Sequence, residues 1–296
     1  MPRAAIDIGS NSLLLTVVDE DQTVLHDEAV VVGLGSGIGD RGLFTTERMA
    51  AAEAVLADFV RTCQQLGVEP WRIRAVATSA ARRAMNAETW LARVQRKHKL
   101  RVQIITGEEE GRLTWMGVTN DIALAGPLLV VDLGGGSTEL VLGDQDMVLQ
   151  RKSLEMGSVR LTERFLGVAT VEPVGLARMR KFVDIELDKV DWGQKPRTIV
   201  GVGGTVTTLS AMVLGLQKWD AGRVHQSRVT AANLAGFIDR LLPATPEQRR
   251  QMCPTAPERA DYLLAGATVL ARVLSTFRRQ QLVVSDRGLR YGLLVA

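Results

Sequence analysis

Two short stretches of the chain repeat one another. Asp7-Ile8-Gly9-Ser10-Asn11-Ser12 and Asp132-Leu133-Gly134-Gly135-Gly136-Ser137 both read D-x-G-x-x-S. The offsets 132 − 7, 134 − 9 and 137 − 12 are all 125, and Leu15 to Leu140 keeps the same spacing. Each copy lies between two apolar runs and so reads as strand, tight turn, strand. Glycines let a backbone approach a ligand closely, and successive N–H groups in such a turn form a concavity for an anion. An Asp closing the first strand adds a hard oxygen of the kind Mg²⁺ or Mn²⁺ takes. Two facing copies would clamp a phosphate chain, with Gly9, Ser10, Asn11 and Ser12 on one side and Gly134, Gly135, Gly136 and Ser137 on the other. Asp7 and Asp132 would hold the metal. Strand alternation puts Glu139 on the face of Ser137, adding a carboxylate there.

A third glycine turn, Gly201-Val202-Gly203-Gly204-Thr205, ends a strand and opens a helix, where free N–H groups and the helix dipole favour an anion. Close helix–strand packing would select the same glycines. Thr106-Gly107-Glu108-Glu109-Glu110-Gly111-Arg112 has two readings of equal standing. Thr106 with Glu109 fits a capping box, while an acid placed by a helix start could orient and deprotonate a water. Arg82, just past a strand, is a candidate for neutralising charge on a transferred phosphoryl group. His26, His98 and His225 lack metal-ligand spacing, which argues against zinc. The G-x-x-x-x-G-K-[ST] loop is absent, and aromatics at 4% are too few for nucleic-acid stacking platforms.

These residues need scaffolds. Strands at Ala4–Ile6, Leu13–Val18 and Val24–Val32 form a meander, followed by a mobile loop, Gly33–Gly39. Thr45 opens a helix with Met49, Ala52, Leu56, Phe59, Val60 and Cys63 on its apolar face. Strands Ile73–Ala77 and Val102–Ile105 flank two helices. The second half repeats this order: strands Leu128–Asp132, Thr138–Leu142 and Met147–Leu154, then helices, strand Thr198–Val202, a helix through Leu214, one long helix Pro257–Phe277, strand Leu282–Ser285 and a last helical stretch. Meanders followed by alternating helices and strands predict an α/β fold of two tandem units, residues 1–123 and 124–296, with the ligand in a cleft between them. A chain of 296 residues with formal charge +3 suits two such domains and carries no field suited to sequence-specific nucleic acid. The basic run Arg93, Arg96, Lys97, His98, Lys99 and Arg101 reads as a solvated helix end, with a track for a polyanion as the alternative. Two distant cysteines, no signal peptide and no long apolar segment predict a reduced, cytoplasmic protein away from membranes.

The chain resembles the exopolyphosphatase / guanosine pentaphosphate phosphatase family of the actin-like, sugar-kinase-like ATPase superfamily. The resemblance rests on Ile6 to Ser12, Ala77 to Arg82, Gly107 to Arg112, Val131 to Glu139, Gly201 to Thr205 and Gly288-Leu289-Arg290. It implies two duplicated actin-like (ribonuclease H-like) α/β domains and Mg²⁺-dependent hydrolysis of a terminal phosphate, from polyphosphate first and guanosine pentaphosphate second. Glu110 would be the catalytic base and Arg82 the substrate-facing arginine. Asp132 and Glu139, with Asp7, would hold the metal, and Gly203, Gly204 and Thr205 would add to the phosphate site. A homodimer stays open. Tyr291 stands where such proteins often carry an acid, and the short chain predicts distributive cleavage. Rival readings are a kinase of the same superfamily and a non-catalytic sensor of polyphosphate or nucleotide.

Overall fold

The computed structural model describes residues 1–39, 42–124, 126–144 and 147–296. Contacts divide the chain into two units, Met1–Gly117 with Leu289–Ala296, and Val118–Gly288. The division thus falls slightly before the expected boundary at Ala123, and the last residues group with the first unit instead of the second. Their chemistry explains this. In the helix Leu289–Val295, the side chains of Leu289, Leu293 and Leu294 are buried in a cluster with Ala5, Val18, Val76, Ile105 and Leu113. Arg290 Nη1 donates to the Leu15 carbonyl at 3.2 Å and to Thr16 Oγ1 at 2.7 Å, and it pairs with Asp27.

In the first unit, β1 (Arg3–Ile8), β2 (Ser12–Val18) and β3 (Val24–Val31) form the antiparallel meander. Strands β4 (Ile73–Ala77) and β5 (Val102–Ile104) continue the sheet in parallel beyond β1, giving the order β3-β2-β1-β4-β5. Ala4, Ala5 and Ile6 are fully buried, as a central strand covered on both faces requires. The connecting helices are α1 (Thr46–Gln65), α2 (Ser79–Arg83), α3 (Ala87–His98) and α4 (Gly107–Thr119). Thr45 caps α1 by accepting from Arg48 N, and Ala52, Leu56, Phe59 and Cys63 repeat at helical spacing on its buried face.

Two expectations for this unit change. The basic run is not simply solvated. Glu53 on α1 is 8% exposed and receives Arg93 Nη2 at 2.9 Å and Lys97 Nζ at 2.7 Å, with His98 Nε2 at 3.5 Å. Half the run therefore clamps α3 to α1, and His98 is half-buried there. Hydrogen bonding from Lys97, then His98 and Arg93, holds the Glu53 pKa below the ordinary carboxylate value although burial opposes it. The glycine-rich segment after β3 is likewise packed. Leu34 and Ile38 are buried, and the N–H groups of Gly33 and Gly35 donate back into the first glycine turn.

The second unit contains β6 (Leu128–Leu133), β7 (Thr138–Asp144) and β8 (Met147–Leu154), then α5 (Ser158–Leu161), which runs into a π turn at Thr162–Leu166. There follow α6 (Pro173–Asp188), β9 (Thr198–Val202), α7 (Gly204–Val213), α8 (Ala221–Val224), β10 (Arg228–Thr230), α9 (Ala231–Leu241), α10 (Pro246–Met252), α11 (Leu263–Thr276) and β11 (Gln281–Val284). The strand order β10-β11-β9-β6-β7-β8 repeats that of the first sheet with one antiparallel strand, β10, added at the edge. The single helix expected over Pro257–Phe277 is a 3₁₀ turn, Pro257–Tyr262, followed by α11, with Tyr262 at φ −105° and ψ −7° joining the two. Cys63 and Cys253 are free and buried, and burial pushes both thiols up to about 11. Among the described residues no helix is long and apolar enough to cross a membrane.

Two glycines test this packing with opposite signs. A Cβ on Gly292 of the terminal helix would lie 1.8 Å from the Leu113 carbonyl oxygen, whereas one on Gly236 of α9 meets nothing within 4 Å. Gly292→Ala is expected to cost about 1–3 kcal/mol through overpacking. Gly236→Ala should add about 0.5–1 kcal/mol through helix propensity. Urea unfolding of both variants checks the pair, and equal midpoints would contradict the seat assigned to the terminal helix.

Candidate active site

In the first unit the candidate residues leave the carboxyl ends of three adjacent parallel strands, the place where α/β sheets bind ligands. The first glycine turn follows β1, Thr78 to Arg82 follow β4, and Thr106 to Glu110 follow β5. Backbone bonds stitch these exits together, from Thr78 N to the Ile8 carbonyl at 3.2 Å and from Ile105 N to the Ala77 carbonyl at 3.1 Å. Gly9 N donates to the Ser12 carbonyl at 3.0 Å and closes the turn. The Ser10 carbonyl accepts from Gly35 N at 2.7 Å, and the Asn11 carbonyl from Val32 N and Gly33 N at 2.9 and 2.8 Å. Among the described residues all peptides are trans. A trans plane sets its C=O and the following N–H on opposite edges, so the N–H groups of Asn11 and Ser12 face away from that support.

The three consecutive acids separate on α4. Glu108 is exposed, while Glu109 forms two 2.8 Å bonds to Arg112 Nε and Nη2. Glu109 N also donates to Thr106 Oγ1 at 3.1 Å, so the helix start is capped as expected. Glu110 is 8% exposed and accepts from Arg82 Nη1 at 2.7 Å through Oε2. Arg82 Nη1 is steadied by the Ile105 carbonyl at 3.0 Å. The unit therefore brings Arg82 and Glu110 into direct contact.

In the second unit the turn after β6 has the same closure, Gly134 N to the Ser137 carbonyl at 3.1 Å. The carbonyls of Gly134, Gly135 and Gly136 all accept from the segment Gly157–Arg160: Ser158 N to Gly134 at 2.9 Å, Val159 N to Gly135 at 3.0 Å and Gly157 N to Gly136 at 3.3 Å. By the same planar geometry the N–H groups of Gly135, Gly136 and Ser137 lie on the far side, three in a row, as an anion-binding concavity requires. The turn after β9 adjoins it. Gly203 adopts φ +101°, and a Cβ there would stand 2.6 Å from the Leu133 carbonyl oxygen and 3.3 Å from Asp132 Oδ1. Thr205 Oγ1 donates to Ser158 Oγ at 3.3 Å. The sequence reading missed Arg259. Its guanidinium rests on Gly204 at the start of α7, where an added Cβ would come within 1.7 Å of Nη1, and burial lowers its pKa. The charged run Pro257 to Asp261 was the one available signal.

The donor set suits Mg²⁺. Asp132 and Glu139 are directly paired across β6 and β7, and the buried Glu139 has its Oε1 fixed by Ser153 Oγ at 2.7 Å. Among the described residues no group of three or more His, Cys, Asp or Glu side chains is placed to hold a metal ion. Mg²⁺ commonly takes one or two carboxylates and completes its shell with water and substrate phosphate, so a pair of hard oxygens fits it. At the equivalent positions of the first unit, Asp7 is paired with Leu14.

Two copies of one sheet, each with a glycine turn after its first strand, make the fold that of duplicated actin-like α/β domains. The chain belongs to the Ppx/GppA phosphatase family, whose sequence pattern matches residues 14–296. It is 36% identical to Exopolyphosphatase 2 of Mycobacterium tuberculosis over 314 residues, spanning 99% of this chain and 97% of that protein. The guanosine-5'-triphosphate,3'-diphosphate pyrophosphatase of Aeromonas salmonicida is 29% identical over 98% of this chain and 58% of its own length. The crystal structure of the Aquifex aeolicus family member matches with a TM-score of 0.84 at 35% identity, covering 100% of this chain and 96% of that one.

His225, which lacks metal-ligand spacing in the sequence, finds its partners only in the fold. Within the second unit its Nε2 lies 2.7 Å from Asp121 Oδ2 and its Nδ1 2.8 Å from Asp286 Oδ1, and Arg287 Nη1 meets Asp121 Oδ1 at 2.5 Å. The Asp286 hydrogen bond raises the imidazole pKa, and the charges of Asp286 and Asp121 add to this, against burial and Arg287. A raised folded-state pKa gives stability that is complete below the unfolded value of about 6.5 and is lost as pH rises through the folded value. His225→Gln, which cannot take up the proton, should therefore lose stability relative to wild type most at mildly acidic pH. Urea midpoints of both proteins from acid to alkaline pH test this, and a constant difference would refute the charged bridge.

Proposed function

We propose that this protein is an exopolyphosphatase that hydrolyses the terminal phosphate of linear inorganic polyphosphate with Mg²⁺. The observation that carries the reading is the row of backbone N–H groups at Gly135 to Ser137 beside the Asp132–Glu139 pair. Neutral N–H groups and hard carboxylates together suit a polyanion that arrives with a divalent cation. The near-complete mutual coverage with the mycobacterial exopolyphosphatase favours polyphosphate. The Aeromonas relative supports guanosine pentaphosphate as the second substrate to test.

Phosphoryl transfer asks an enzyme mostly for positioning and charge stabilisation. Gly9 to Ser12, Gly134 to Ser137, and Gly203 to Thr205 bind phosphate oxygens through N–H and hydroxyl donors. Asp132 and Glu139 would hold the cation, which would offset charge on the phosphoryl oxygens. Arg82 aligns Glu110 and bridges phosphate oxygens with its planar fork. Glu110 orients a water and takes its proton.

Phosphate release measured side by side on polyphosphates of several lengths, guanosine pentaphosphate and ATP tests the assignment. Release from polyphosphate is expected to dominate and to stop on chelation; the absence of release from every substrate would leave a binding protein. Glu110→Gln keeps shape but removes the proton acceptor, and loss of a positioned base costs about 10²–10⁴-fold. Retention of most activity by this variant would remove Glu110 from the chemistry. Asp132→Asn should raise the Mg²⁺ concentration needed for half-maximal rate; an unchanged requirement would place the cation elsewhere.

A further inference from the structure

The three glycines at 134–136 have no side chains to fix their peptide planes, so each plane is held by whatever binds its carbonyl. For Gly134 and Gly135 the main holders are backbone N–H groups of Ser158, Val159 and Arg160, at 2.9, 3.0 and 3.1 Å, with a long bond of 3.4 Å from Ser158 Oγ to the Gly134 carbonyl beside them. Gly136 differs. Its carbonyl takes a long bond from Gly157 N at 3.3 Å and a short one, 2.7 Å, from the side chain of Arg160 through Nε. The guanidinium is itself anchored by an ion pair with Glu155, and only 19% of its side chain is exposed. A charged donor makes the stronger hydrogen bond, so Arg160 dominates at this carbonyl. The segment can come this close only because residue 157 is glycine. A Cβ there would stand 2.4 Å from Gly135 C and O and from Gly136 C.

We propose that Arg160 is a positioning residue for the phosphate loop: its guanidinium fixes the Gly136–Ser137 peptide plane so that the Ser137 N–H is presented to a phosphate oxygen. This rests on the phosphate-binding reading of residues 134–137. Arg160 lies behind the plane, on the carbonyl edge, and acts through the peptide. A cation on the carbonyl also polarises the amide and strengthens the N–H as a donor, because linked hydrogen bonds reinforce one another. Arg160 thereby contributes positive charge to the anion site from the far side of a peptide.

The test compares wild type with Arg160→Ala and Arg160→Lys. Binding of tripolyphosphate is measured by calorimetry, alongside kcat and KM on whichever phosphoanhydride the wild type turns over. Losing a charge-assisted bond that orients a donor is expected to weaken tripolyphosphate binding about tenfold or more. Arg160→Lys should recover part of that loss, since an ammonium can reach the carbonyl or Glu155 but cannot bridge both. Added guanidinium at millimolar concentration should restore Arg160→Ala, and methylammonium should do so less well. A purely structural arginine predicts lower unfolding midpoints with unchanged binding by the folded protein and no selective rescue. That result overturns the proposal, as does a wild type that binds tripolyphosphate no better than Arg160→Ala. Tripolyphosphate binding without turnover of any phosphoanhydride by wild type would sink the hydrolase reading alone, because the calorimetric comparison still judges Arg160.

Discussion

A peptide unit carries its C=O and the next N–H on opposite edges, so the partner that holds a carbonyl also decides where the neighbouring N–H looks. Both glycine turns depend on this constraint. In the first unit, Val32, Gly33 and Gly35 hold the carbonyls of Ser10 and Asn11; in the second, Gly157 to Arg160 hold those of Gly134 to Gly136. The two supports are unrelated in sequence, one lying just after β3 and the other just after β8. Those places correspond, because each directly follows the third strand of its meander. The meander therefore both forms the sheet edge and returns the chain to the turn it must brace. An unpaired buried carbonyl costs about 1–3 kcal/mol, so the brace and the turn stabilise one another.

Duplication kept the backbone device and let the side chains diverge. The register is the same in both hairpins, Asp7 opposite Leu14 and Asp132 opposite Glu139. A leucine beside Asp7 suits an apolar sheet face, whereas Glu139 buries a second carboxylate that needs Ser153 and further partners to be tolerated. The second copy thus carries two adjacent carboxylates where the first carries one.

The parts of this design that lie within a few residues of one another were legible in the sequence. The D-x-G-x-x-S repeat, the strands around it and the cap at Thr45 depend on neighbours in the chain, and they fold where their spacing places them. Other parts depend on distant partners. Arg160 looks like an ordinary helix residue until Gly136 is set against it, and Arg259 like one charge among several until Gly204 is found beneath it. His225 needed Asp121 and Asp286. The terminal helix reads as a continuation of the second unit because three leucines do not say which sheet will cover them. Glu53 gave the least warning, since one acid on an amphipathic helix reveals nothing of the cations waiting on α3.

Glu53 also shows how a buried acid can be committed to structure. Three basic side chains surround it, and its pKa is lowered, which makes it a weak base. Glu109 is similarly committed, both oxygens being taken by the fork of Arg112 one turn further along the helix. Glu108 is exposed to solvent. Glu110 differs from all three. It is buried at the first turn of α4, at the carboxyl end of the parallel strands, and Arg82 meets it at Oε2. Three identical residues in succession point about 100° apart around a helix, so one meets solvent, one an arginine of its own helix and one the strand ends. The α-helical twist thus separates a run of like charges that would repel if they shared a face, and it leaves a single member buried against Arg82 at the strand ends.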